Sequence, residues 1–429
     1  MRVKKIITPP MLFWVYIIFL AKAPSAVYSE TTESDWPRFR GPNGDGISQE
    51  TNWDSEAISG SPRMVWKANV GTGFSNIAIK GNRIYTMGFD KNKDTVFCLD
   101  IETGKEIWRY SYEGRSGGRG YGTLTTPASD GRFVYTLSVD GELYCFNAKN
   151  GKVIWHRDIV AEFGATAPYY GFAGSPVIEG DLVIVNANTS GIALDKKTGK
   201  KVWSSAPVRK KYKGTKTGTE YTTPVIYTQH GNRYAAIFAG DGLYSVDVKT
   251  GKKMWFYEWK LNSKKYSNIN AADPVIFDNK VFISSAYNVG CALIDISGKD
   301  PVTLWRNNNM HNHFSTSLYI DGYIYGSDGD VRYPDAKLTC LDIRTGKKMW
   351  SEDTRPLSLI AADGKLIALD DKGTLFIIEA TPSSYKEISR GTIPGQKGFE
   401  KWWTYPVLHK ERIYCRNNAG DLVSLDVGN

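Results

Sequence analysis

The chain of 429 residues has 41% hydrophobic and 23% charged residues, with 13 Trp, 25 Tyr and 17 Phe. Such a composition buries a large core and excludes a disordered or collagen-like chain, and the length points to two or three domains or to one large repeat architecture. The formal charge of +9 comes from 54 Lys and Arg against 45 Asp and Glu; Arg2, Lys4, Lys5 and Lys22 precede the first acid, Glu30, so loss of a leader leaves 9 − 4, or +5.

That leader is the first predicted element. Three positive charges in residues 2–5 precede the apolar run Met11 to Ala21 and the small residues Ala23, Ser25, Ala26 and Ser29, the order of a secretory signal peptide over 1–29 cleaved after Ala26 or Ser29. Pro9, Pro10 and Lys22 bound the run, which falls short of the roughly 20 apolar residues of a membrane span. No stable span is expected after cleavage. The segment has no Cys to lipidate, so the predicted location is periplasmic or secreted. Residues 30–60 form an N-terminal extension, and 61–429 carry a repeat.

The repeat is Asp-x-x-Thr-Gly-Lys-x-x-Trp. It runs from Asp100 to Trp108, Asp195 to Trp203, Asp247 to Trp255 and Asp342 to Trp350, with Asn147 to Trp155 as a close variant and Asp295 to Trp305 as a degenerate copy two residues longer. Trp66 and Ile388 complete the series. Successive spacings from 66 are 42, 47, 48, 52, 50, 45 and 38 residues, the period of a four-stranded propeller blade. In the second unit, strands are predicted from Ala128, over Phe133 to Ser138, Leu143 to Phe146 and Val153 to His156. Asp130-Gly131, Asp140-Gly141 and Asn150-Gly151 separate them as turn dipeptides.

No stretch shows sustained helical periodicity, so the fold class is all-β: an eight-bladed β-propeller of four-stranded antiparallel blades. The last blade has three strands of its own, near Pro406 to Leu408, Arg412 to Arg416 and Leu422 to Asp426, and the strand around Met64 to Val70 must complete it and close the ring. Trp66, Trp108, Trp155, Trp203, Trp255, Trp305 and Trp350 recur at one position and read as structural, packing between blades. Cys98, Cys145 and Cys340 share a repeat position that Ala193, Ser245 and Ser424 also hold. They behave as small hydrophobes too far apart to bridge, and no disulfides are expected.

The motif resembles the tryptophan-docking repeat of the PQQ-like β-propeller family, which includes quinoprotein alcohol dehydrogenases and non-catalytic members of the BamB type. The resemblance covers roughly 61–429, and Asp35-Trp36-Pro37-Arg38-Phe39-Arg40-Gly41-Pro42 is similar to the N-terminal extension of exported bacterial members. For a dehydrogenase it implies a quinone stacked between a Trp and a ring of two adjacent Cys, with Ca²⁺ held by Glu, Asn and Asp. This sequence has no adjacent Cys pair and no motif supplying those ligands, so PQQ with calcium is disfavoured and no cofactor is expected.

Binding is expected where the connectors between blades frame the channel mouth. These connectors carry basic and aromatic residues, and they nominate Arg115, Arg119, Tyr170, Lys211, Tyr221, Asn270, His313 and Trp403 as ligand-binding. Arg and Lys hold anionic groups, and flat rings cover apolar faces of sugars or stack on cofactors. No catalytic or metal-binding residue is assigned: His311-x-His313 lacks a placed carboxylate. Asp90-x-Asn92-x-Asp94 opens like a Ca²⁺ loop, but Thr95 and a missing downstream Glu favour a polar hairpin.

The leading expectation is an exported binding or assembly module, monomeric and without quinone. Its partner is a protein or an acidic or polar carbohydrate at the top face, not nucleic acid. Two alternatives of another class stay open: a quinoprotein-like oxidoreductase, and a lyase or hydrolase on acidic polysaccharide with His313 and Tyr residues as proton-transfer groups.

Overall fold

The computed structural model describes residues 35–115, 121–207, 221–259, 269–330, 336–396 and 398–429. Eight antiparallel blades follow one another along the chain; blades 3 to 7 span residues 177–204, 225–258, 275–307, 318–353 and 357–392, and the seventh is joined by a fifth, parallel strand. In blade 1 the strands are Ala78–Lys80, Arg83–Asp90, Lys93–Asp100 and Glu106–Glu113; in blade 2 they are Ala128–Ser129, Phe133–Leu137, Glu142–Asn147 and Val153–Asp158. Blade 8 consists of Val407–Leu408, Arg412–Arg416 and Asp421–Asp426, with Met64–Asn69 as its fourth strand. The two ends of the propeller therefore interlock as the repeat required. One five-residue helix, Ile159–Phe163, capped by the Asp158 side chain, sits in the connector from blade 2 to blade 3. No helix among the described residues is long and apolar enough to cross a membrane.

The repeat motif acts between blades. Gly104, Gly151, Gly199, Gly251 and Gly346, all at φ +67 to +70, lie on the rings of Trp66, Trp108, Trp155, Trp203 and Trp305 of the preceding blades, where an added Cβ would stand 2.5–2.8 Å from ring atoms. The indole N–H of each donates to a carbonyl of the same neighbouring corner: Trp66 to Ile101, Trp108 to Ala148, Trp155 to Lys196, Trp203 to Val248 and Trp305 to Ile343. Asp195 anchors its corner by accepting from Thr198 N and Oγ1 at 2.8 and 2.7 Å, and Asp100, Asp247 and Asp342 also accept the amide of the motif threonine.

Register corrects one detail. In every fourth strand a bulge residue precedes the docking position: Ile107 is skipped between the pairs Leu99–Glu106 and Cys98–Trp108. In blade 7 the pairs are Ile378–Glu387 and Ile377–Ser389. The residue equivalent to Trp is therefore Ser389, and Ile388 is the bulge.

All five cysteines are free and buried. Burial pushes the thiols of Cys98, Cys145, Cys291 and Cys340 up to about 12 and that of Cys415 higher. A thiol reagent at neutral pH should accordingly modify none of the five in the native protein and all five in denaturant, because only an exposed thiolate reacts.

Candidate functional site

Two layers of connectors build the channel. Deeper in, main-chain amides two residues ahead of the first strands donate to side chains of the next blade. Thr126 N donates to Ser175 Oγ at 2.9 Å, Ser175 N to Thr223 Oγ1 at 3.0 Å, Thr223 N to Asp273 Oδ1 at 2.8 Å and Asp273 N to Thr316 Oγ1 at 2.8 Å. Thr316 N donates to the hydroxyl of Tyr405 at 2.6 Å, and that hydroxyl donates to Phe314 O at 3.1 Å. The belt fixes the level from which the mouth residues project.

The extension packs along the first strands of several blades. Asp35 pairs with Lys80 at 2.8 Å with both side chains buried, Trp36 forms a bridge with Ile79, and Pro37 O accepts Ser129 N. The chain then crosses the ring, and Ile47–Ser48 pairs in parallel with Ala361–Ala362 of blade 7. Between these anchors Arg40, 2% exposed, donates to the carbonyls of Thr316 and Ser317 at 3.1 Å and of Asp45 at 2.7 Å, with its guanidinium 5.7 Å from the Tyr405 ring centre. The extension thus passes from blades 1 and 2 to blades 6 and 7.

Around the open mouth the half-buried rings form a continuous arc. Centroid separations are 5.9 Å for Tyr221–Tyr170, 5.8 Å for Tyr170–Tyr121 and 5.9 Å for Tyr121–Phe74. They continue at 5.1 Å for Phe74–Trp403, stacked at 19°, then 5.2 Å for Trp403–Phe314, 5.4 Å for Phe314–His313 and 5.2 Å for His313–Tyr287. Trp403, His313, Phe314, Pro356 and Ser358 also line a small cavity. Two buried polar groups there, the Trp403 indole N–H and the Ser315 hydroxyl, find no partner among the described residues.

Among the described residues, two buried carboxylates near the mouth are paired with cations. Asp371 bridges Arg355 and Lys401 and is held below its ordinary value: burial raises it, and the hydrogen bonds and charges of the two cations outweigh burial. Asp328 behaves alike, with burial opposed by His311, 3.0 Å away, and by Lys348. His313 Nδ1 lies 3.4 Å from Asp330, and its Nε2 lies 2.9 Å from the Tyr287 hydroxyl.

Of the residues nominated from sequence, the structure brings together Tyr170, Tyr221, His313 and Trp403. Asn270 is not at the surface: fully buried, it donates to Ala239 O at 2.6 Å and accepts from Ser285 at 2.7 Å, so its amide holds one connector to the scaffold. Arg115 is exposed and takes no part in the arc. Arg119 and Lys211 lie outside the described residues, as do Arg209, Lys210, Lys213, Lys216, Lys264, Lys265 and Lys397. Phe74, Tyr121, Phe314 and Tyr287 are members of the arc beyond the residues nominated from sequence. A signal for them exists: Phe74, Tyr221, Phe314 and Trp403 each stand four residues before a first strand, and Tyr121 and Tyr170 each stand seven before.

Residues 92–352 match the family model described as outer membrane protein assembly factor BamB. The chain belongs to this PQQ-like propeller family. Among its relatives, BamB of Burkholderia pseudomallei is 22% identical over 323 residues, covering 72% of this chain and 74% of that protein. The crystal structure of BamB from Moraxella catarrhalis superposes with a TM-score of 0.59 at 18% identity, covering 85% of this chain and 97% of that one. The quinohemoprotein alcohol dehydrogenase of Comamonas testosteroni gives 0.68 at 13% identity, covering 94% and 82%. At these identities the two structures share the fold; catalytic and assembly members of the family are built on the same ring.

Proposed function

We propose that this chain is an exported, non-catalytic assembly module that holds a protein partner, an extended polypeptide segment, at its aromatic mouth. The observation that carries the reading is the arc of half-buried rings, with the Trp403 N–H and Ser315 hydroxyl, unpartnered among the described residues, left for a ligand acceptor. Aromatic residues over a few unmatched donors are the composition of a protein-binding hot spot. The assembly-factor relatives favour a protein over a sugar, and they favour the periplasmic face of the outer membrane as the place.

One face of Trp403 is taken by Phe74, and the carboxylates of Asp371 and Asp328 are engaged by the protein's own cations, which supports the reading without a calcium-held quinone.

The test is a titration of the mature protein with an unfolded outer-membrane β-barrel polypeptide, read by tryptophan fluorescence, beside a panel of acidic oligosaccharides. Trp403→Ala and Tyr121→Ala should weaken polypeptide binding about ten-fold or more, as hot-spot truncations do, with the circular dichroism spectrum unchanged. Binding of oligosaccharide alone, or polypeptide binding indifferent to both variants, overturns the reading.

A second reading is favoured by one observation. The chain Tyr287–His313–Asp330 is a proton relay at the cavity edge: with its Nδ1–H directed to Asp330, the imidazole can take the phenolic proton on Nε2. That arrangement supports the lyase alternative, in which Tyr287 abstracts the proton α to a uronate carboxyl. Release of unsaturated sugar from a uronate polymer, lost in His313→Ala, would decide for it.

A further inference from the structure

The seam between blades 1 and 2 holds a carboxylate that the protein leaves uncompensated. Asp94 stands in the third strand of blade 1, fully buried, and neither of its oxygens finds a hydrogen-bond partner among the described residues. Its cross-strand partner Tyr112 is 9% exposed, and the Tyr112 hydroxyl also finds none. Asp140, in the Asp-Gly turn of blade 2, approaches from the other blade, with Oδ2 accepting Arg115 N at 3.0 Å. Gly114 lies so close to Asp94 that a Cβ there would stand 2.7 Å from the carboxyl carbon and 3.0 Å from Oδ1. The two carboxylates therefore flank the same Gly114–Arg115 step.

Like charges in a seam that offers one of them no donor are costly to bury. A cation satisfies all of these oxygens together, and we propose that Asp94, Asp140 and Tyr112 form a Ca²⁺ site joining blade 1 to blade 2 at the top face. Asp94 binds through both oxygens, Asp140 through Oδ1 and Tyr112 through its hydroxyl, and water completes the 6–8 oxygens, at about 2.3–2.6 Å, that Ca²⁺ takes. Mg²⁺ suits the set poorly, because it demands near-ideal octahedral geometry. The linear loop read from Asp90, Asn92 and Asp94 is not this site: Asp90 is exposed, and Asn92 O accepts Gly114 N at 3.1 Å. With two carboxylates the affinity should be on the order of 10⁻⁴ to 10⁻³ M, as in extracellular modules.

The experiment uses the mature protein stripped with EDTA, with melting temperature followed against CaCl₂ up to about ten times that dissociation constant. Tb³⁺ luminescence sensitised through tyrosine is the second readout. Ca²⁺ should raise the melting temperature, and the Tb³⁺ signal should saturate and be displaced by Ca²⁺. Asp94→Asn should abolish both responses while melting, in EDTA, no lower than the parent. Tyr112→Phe should weaken binding several-fold, and it decides together with Asp140→Asn if Asp94→Asn fails to fold. A parent protein without a saturable response, or one retained in Asp94→Asn, overturns the proposal.

Discussion

Arg40→Met should lower the unfolding free energy by several kcal/mol, at about 1–3 kcal/mol for each buried acceptor left without its donor. The side chain fills the space between the extension and blade 6, and methionine keeps its bulk. What is lost is the set of donors to Thr316, Ser317 and Asp45, whose carbonyls stay buried. Arg40→Lys should fall between, since an ammonium keeps the charge without the planar fork. The loss should also depend on pH. Burial pushes the Asp273 carboxyl up to about 7 from an ordinary 3.8, against the pull of the Arg40 charge and the Thr223 amide. Between those values the folded state binds more protons than the unfolded chain, so this group's contribution to stability falls as pH rises through the window. Without Arg40 the carboxyl must ionise unaided, and the fall becomes steeper. Denaturant unfolding should therefore show a larger Arg40→Met penalty at pH 8 than at pH 5; an equal penalty would mean that the guanidinium does not act on Asp273.

The extension also marks where sequence reading stops. Arg40 and Thr316 are 276 positions apart, and no periodicity links a residue outside the repeat to a partner inside it. Within the repeat the reasoning succeeds for a physical reason. The Gly of Thr-Gly-Lys is needed both for a positive φ and for room beneath an indole, so the same two residue types return in most blades. Ser389 escaped because a bulge shifts register by one and the indole is absent there. At the mouth, Tyr170, Tyr221, His313 and Trp403 were legible as unusual residues in long connectors. Asn270 has the same polar character, but contact geometry alone reveals that its amide serves the scaffold.

The docking indoles should not be equivalent, and the inequality is measurable. Trp203→Ala should cost about 3–5 kcal/mol, the range for truncating a buried aromatic residue. The ring is 8% exposed, Gly251 is seated on it, and its N–H donates to Val248 O at 2.8 Å. Trp255 is buried to the same degree, yet its N–H makes no hydrogen bond to the neighbouring corner, where Gln229 takes the equivalent carbonyl of Ile296. The glycine of that degenerate corner, Gly298, makes no contact with the ring either. Trp255→Ala should accordingly cost about 1 kcal/mol less, the usual worth of one hydrogen bond. Trp203→Phe, which keeps a ring and drops the N–H, should cost more than Trp255→Phe by a similar margin. Gln229→Leu, by freeing the Ile296 carbonyl for the indole, should cost less in the parent than in Trp255→Phe. A double-mutant cycle of Gln229 with Trp255 reads that coupling directly. Additive penalties would mean that the glutamine does not stand in for the indole donor, and that blade 5 is held by ring packing alone.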